Sequence, residues 1–210
     1  MRFRIATLIL WAIVASACRS GSGAAGTAII QPGAPGEANR VISAEAATDL
    51  SKVQHTPADV KFMQGMIGHH AQALEMTALI GERSSRDEMK RLGQRIAVSQ
   101  ADEIDMMRTW LRARGQEVPS EHAHHTHEGM MPGMLTPDQM AELTAAKGED
   151  FDRLFLKYMI QHHEGALSMV DDLFKTPGAG QEGDINAFAA DVDADQRMEI
   201  DRMRAMLGSR

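Results

Sequence analysis

The stretch FMQGMIGHHAQALEM, beginning at Phe62, returns as FLKYMIQHHEGALSM, beginning at Phe155, at an offset of 93 residues. Phe62, Met66, Ile67, His69, His70, Ala73, Leu74 and Met76 fall on Phe155, Met159, Ile160, His162, His163, Ala166, Leu167 and Met169, and Asp59 falls on Asp152. A second pair follows at an offset of 96: Gln100, Glu103, Ile104, Met107 and Leu111 against Gln196, Glu199, Ile200, Met203 and Leu207. Two amphipathic segments repeated in the same order read as a duplicated helical hairpin, with the same polar cluster in each half.

Local signals place the helices. Thr56-Pro57-Ala58-Asp59 opens the first, with Thr56 as cap, Pro57 in the first turn and Asp59 at the positive end of the dipole. It runs to about Ile80, where Gly81 helps to end it. Ser84 or Ser85 starts the second, which stops at Gly115. Thr136-Pro137-Asp138-Gln139 caps a short helix, a long one runs from about Glu149 to Lys175, and the last from about Asp184 to Leu207. Nothing alternates like a strand. The expected architecture is all-α: an antiparallel four-helix bundle built from two hairpins over residues 51–210.

The segments before the repeat carry no core. Residues 1–17 read as an export signal, with Arg2 and Arg4 ahead of an apolar run from Ile5 to Val14 and a small-residue cleavage site at Ala15-Ser16-Ala17. The apolar run is shorter than the roughly 20 residues a membrane-spanning helix needs. Cys18, the only cysteine, follows at once and resembles the lipidated cysteine of a bacterial lipoprotein, although Ala15 stands where leucine is usual. Simple signal cleavage is the alternative, and a single cysteine excludes an internal disulfide. Residues 18–50 are rich in Gly, Ala, Ser and Pro and read as a flexible tether. A net charge of −7 with scattered Lys and Arg sets nucleic-acid binding aside.

At 100° per residue Asp59, Phe62, Met66, His70 and Ala73 share one stripe, with His69 and Met76 to one side. Asp152, Phe155, Met159, His162, His163, Ala166 and Met169 repeat it. Gln100, Glu103 and Met107 share a face, as do Gln196, Glu199 and Met203. Two carboxylates and up to four imidazoles are therefore expected to meet inside the bundle. Buried carboxylates need a partner or a cation. Glu103 and Glu199 could each bond a histidine of its own half without metal. Alternatively the set is a metal site, the reading that duplicated His pairs flanked by Met66, Met76, Met159 and Met169 favour. Thioether with imidazole points to copper, Cu(I) above all, ahead of zinc or iron. A carboxylate di-iron centre would need Glu three residues before His69 and His162, where Met66 and Met159 stand. The abundant methionines, 16 in all, are otherwise flexible core filler.

Between the halves, residues 120–135 carry His122, His124, His125 and His127, then Met130, Met131 and Met134. This segment reads as a mobile chelator for copper or zinc that protonation would weaken, or else as a solvated linker.

The M-I-x-H-H-x-x-A-x-x-M pattern in two copies, each followed by Q-x-x-E-I, resembles the bacterial family called domain of unknown function 305, over about Thr56 to Leu207. The resemblance implies a ferritin-like helical bundle, export, and in some members copper or silver handling. It places the family's histidines at His69, His70, His162 and His163, with Met66, Met76, Met159 and Met169 beside them. The leading expectation is a cell-envelope protein that binds, buffers or sequesters copper. A metal-free structural or interaction module and a ferritin-like redox enzyme are the alternatives. No nucleophile triad, phosphate-binding glycine loop or CxxC pair offers other chemistry, which points to binding rather than catalysis.

Overall fold

The computed structural model describes residues 28–31, 38–48, 53–120 and 130–208. The expected signal, Cys18, and the loop histidines His122, His124, His125 and His127 lie outside the described residues. The chain divides into two compact units, Met1–Asp49 and Leu50–Arg210.

In the first unit β1 (Ile29–Gln31) pairs antiparallel with β2 (Arg40–Ile42), Ile29 opposite Ile42 and Ile30 opposite Val41. The sequence reading expects no strand here. The β-branched Ile29, Ile30, Val41 and Ile42 supply the reason one forms. A single turn of helix, α1 (Ala44–Thr48), follows under a cap from Ser43 Oγ to the Ala46 amide. Among the described residues of this unit whose burial is given, none is buried.

The second unit is helical: α2 (Pro57–Ala78), α3 (Ile80–Arg83), α4 (Asp87–Ala113), α5 (Pro137–Ala145), α6 (Gly148–Lys175) and α7 (Gly183–Gly208). The all-α expectation is correct. Thr56 and Asp59 form the capping box that opens α2, and Thr136 and Gln139 form the one that opens α5. Asp59 does more than cap, because its second oxygen accepts the buried Gly180 amide at 2.7 Å. Two boundaries differ from the sequence reading. The first helix breaks at Leu79 and resumes as α3. Ser84 is extended, and α4 begins at Asp87 with no side-chain cap, leaving Asp87 and Glu88 to face the dipole. Gly115 ends the hairpin at φ +64°, where a side chain would be strained. Among the described residues no helix is long and apolar enough to cross a membrane.

Packing runs α2 along α4, α6 along α7, and α2 across to α6. Two apolar clusters each draw on all four long helices. One joins Phe62, Met66 and Ile67 to Ile104, Met107, Ala166, Val170 and Phe188; the other joins Ala73 and Met76 to Leu92, Ile96, Phe155, Met159 and Met203. On α2 the first cluster ends at Ile67 and the second begins at Ala73, while on α6 the order reverses between Met159 and Ala166. The His pairs occupy these two gaps. Full burial of each large apolar side chain contributes about 1.5–3 kcal/mol, so the polar centre is clamped between two strongly held layers. Met66, Met76, Met107, Met159 and Met203 are fully buried members of those layers, as core-filling methionines would be.

A strap completes the frame. Residues 131–135 cross α2 and α6, with Gly133 at φ +76° so close to α6 that a Cβ there would stand 2.4 Å from the Gln161 carbonyl. Gln72 holds the far end with both amide atoms, to Leu135 N at 2.7 Å and Leu135 O at 3.0 Å. Gln161 Nε2 donates to Gly133 O at 3.2 Å.

Candidate metal centre

His69, His70, His162 and His163 are all completely buried. The rings of His69 and His162 lie against one another with centroids 3.9 Å apart, so the two copies meet at a single polar centre. The second member of each pair turns to its own hairpin partner: His70 Nε2 meets Glu103 Oε2 at 2.5 Å, and His163 Nε2 meets Glu199 Oε2 at 2.6 Å. Both pairings are those expected of a metal-free network.

The seam histidines use backbone instead. His69 Nε2 donates to the Pro132 carbonyl at 2.9 Å, and His162 Nε2 donates to the His69 carbonyl at 2.9 Å. A carbonyl oxygen only accepts, so the proton of both rings sits on Nε2. Burial lowers the His69 pKa to about 3, with the neighbouring His70 and His163 imidazoles adding and the Pro132 carbonyl opposing. Burial first, then the other three imidazoles, pushes His162 well below the usual range. Both rings are neutral at ordinary pH and keep a lone pair on Nδ1.

Those lone pairs are the unusual feature. Nδ1 of His69, His70, His162 and His163 is buried without a hydrogen-bond partner in each case. Buried polar atoms of this kind are rare and call for an explanation such as water or an ion. Gln100, read with the carboxylate face, is buried with neither amide atom partnered, and Gln196 Oε1 is likewise orphaned. Among the described residues no three of His, Cys, Asp or Glu form a cluster able to hold a metal.

The methionines divide by position. Met66, Met76 and Met159 are sealed in the apolar layers, and Met134, within the strap, is also buried. Met130 is exposed, while Met131 and Met169 are half-buried. Sequence reasoning missed the backbone acceptors, Pro132 O and His69 O, and missed Gln72 and Gln161 as the strap's anchors. The glycines at 133 and 165 were the available signal, since paired small residues mark a close crossing.

Glu103 and Glu199 carry a direct expectation. Glu103→Ala strands the fully buried His70 Nε2, and loss of a hydrogen bond to a charged group costs about 1.5–3 kcal/mol. Urea unfolding should register that loss, and a smaller one for Glu199→Ala, whose side chain is 16% exposed against 7% for Glu103. Changes below about 0.5 kcal/mol in both variants would mean the pairs carry no weight.

Fold and centre together define a class: a helical protein whose inward His pairs and Glu partners lie between two apolar layers that contain Met66, Met76 and Met159. Residues 59–207 match the family described as Domain of unknown function (DUF305), and the chain belongs to that family. Among solved structures it is similar to a DUF305 fragment from Deinococcus radiodurans, at 32% identity and TM-score 0.63, covering 74% of this chain and 99% of that one. A DUF305 protein from Streptomyces coelicolor, described as secreted, is 31% identical with TM-score 0.63, over 72% of this chain and 93% of its own. CopM in its Cu(II)-bound form is 27% identical with TM-score 0.58, over 72% and 96% of the two chains. CopM has also been solved with Cu(I) and with Ag bound. No curated protein matches the chain.

Proposed function

We propose that this chain is an exported protein of the cell envelope that binds and sequesters copper, with silver as a chemical equivalent. The observation that carries the reading is the set of four buried Nδ1 atoms without partners, each on a ring whose Nε2 is already committed. Neutral imidazole nitrogen beside thioether sulfur is a donor set for Cu(I) or Ag(I), and the bound metals of CopM support that choice. Glu103 and Glu199 serve as orienting partners of His70 and His163 rather than as ligands, in the usual carboxylate–histidine arrangement behind a metal. The segment carrying His122, His124, His125 and His127 captures the ion first. Residues 1–17 direct export, and Cys18 supplies a lipid anchor behind the tether of residues 18–50; the description of the Streptomyces relative as a secreted protein supports the export step.

The metal-free reading retains one specific support, the His70–Glu103 and His163–Glu199 bonds, which need no ion. A titration separates the two. The chain recovered from the cell envelope is titrated with Cu(I) and Ag(I) beside a variant with His122, His124, His125 and His127 changed to Ala. Metal content and thermal stability are read together. The loop variant is expected to bind still, and to gain about 2.7 kcal/mol when free metal reaches a hundredfold excess over Kd. Adding His70→Gln and His163→Gln, which keep an N–H for each glutamate and remove Nδ1, should abolish that gain. Binding that vanishes with the loop alone and never shifts the melt would leave the bundle histidines to their networks.

A further inference from the structure

The two matching stretches differ sharply at one position on the face that carries Met76 and Met169. Gly65 stands where the second copy has Tyr158, and Met169 stands where the first copy has Met76. Met76 is fully buried within an apolar layer. Tyr158 is also buried, and its hydroxyl donates to Glu142. One half of the pseudosymmetric pair is therefore filled and closed.

The other half is open. Gly65 has no side chain, and two thioether ends converge on the space this leaves. Met131 Sδ lies 3.4 Å, and Met169 Cε 3.5 Å, from the point where a Cβ on Gly65 would stand. Both methionines and Gly65 are only half-buried, unlike the sealed Met66, Met76 and Met159. Met131 cannot drift away, because the next residue, Pro132, accepts the His69 hydrogen bond and Gly133 is wedged against α6. Met169 is carried by α6 and packs against the first apolar layer. Two soft donors on separate elements, held together at a solvent-accessible spot one helical turn from His69, form more than core filler.

We infer that Met131 and Met169, meeting over Gly65, form a thioether-pair site for a soft monovalent cation, Cu(I) or Ag(I). The inference rests on the metal-binding reading above and assigns it a point of contact outside the buried histidines. Thioether sulfur selects soft ions over the hard cations Ca²⁺ and Mg²⁺. The three rotatable bonds of each methionine let both sulfurs turn onto one ion with the backbone left in place. The counterpart position on the second hairpin has no such pair, so among the described residues the internal repeat yields one site of this kind.

The test uses silver nitrate on the envelope-recovered chain carrying ¹³C-labelled methionine methyl groups. The methyl signals of Met131 and Met169 are expected to shift together as the first equivalent is added. Met131→Leu and Met169→Leu conserve volume and remove sulfur. Each should weaken that binding by about tenfold, and the double variant should be little weaker than either single one, because paired ligands are not additive. Thermal melts without silver check that the variants fold, and the wild-type methyl spectra decide the matter if they do not. Silver bound with both signals unmoved, or single-variant losses that simply add, would overturn the pair while leaving the histidine reading intact. A wild-type chain that takes up no silver at all would overturn both.

Discussion

Gly165→Ala lowers the melting temperature by about 6–12 °C, the largest single-residue effect expected in this fold. A Cβ at this position would stand 2.0 Å from the Pro132 carbonyl oxygen and 2.6 Å from Gly133 Cα. Both obstacles are backbone, so no rotamer change relieves them, and the strap must lift away from α6. Overpacking alone costs about 1–3 kcal/mol. Lifting the strap also withdraws Pro132 O from His69 Nε2, which leaves a fully buried donor unpaired and takes the total to about 3 kcal/mol or more. Gly81→Ala is the matched control. It also lies in a helix, nothing stands within 4 Å of its added Cβ, and its melt should hold or rise slightly. Gly93→Ala should fall between, since the atom in its way is the far end of the Ile80 side chain, at 2.2 Å. Equal melts for Gly165→Ala and Gly81→Ala would remove the strap from the account of the centre.

Much of this was readable before any coordinates. The 93-residue register located both His pairs and the four flanking methionines, and Thr56 and Thr136 announced their helices because each begins a capping box. Helical periodicity says which face a residue occupies. It does not say which atom it meets, so the pairing of Glu103 with His70 rather than His69 was invisible. The two acceptors of the seam histidines are main-chain carbonyls, and every residue carries one of those. The break at Leu79 has no Gly or Pro to mark it, and α4 starts at Asp87 without a capping side chain. Its position follows from tertiary packing, in which Ile80, Met89 and Leu92 share one apolar layer. The asymmetry that matters most was present as letters: Gly65 against Tyr158, and Gln72 against Gly165. Reading the repeat for its agreements hid the positions where the strap forces the halves to differ.

The metal-free chain loses stability steeply between pH 6.5 and 5, ahead of ordinary acid unfolding. Burial holds the folded His69 pKa at about 3, and His162 moves in the same direction for the same reason. In the unfolded chain both titrate near 6.5. A folded pKa below the unfolded one means the unfolded state binds more protons throughout that interval. Stability therefore falls with falling pH, from about 6.5 down towards 3, and is insensitive to these groups above 7. Each unit of pH below 6.5 costs about 1.4 kcal/mol per histidine kept neutral, which amounts to about 2 kcal/mol for His69 by pH 5. His162 adds a loss of the same sign. The interval from 6.5 to 5 isolates the effect, because unfolded carboxylates titrate near 4 and contribute little there. Urea unfolding at closely spaced pH values provides the measurement. His69→Gln keeps an N–H for Pro132 O and does not titrate, so its slope over the same interval should be visibly shallower than that of the wild type. A wild-type stability that stays flat from pH 7 to 5 would show that the imidazoles reach water in the folded chain, and the orphaned Nδ1 atoms would then have solvent as their partner.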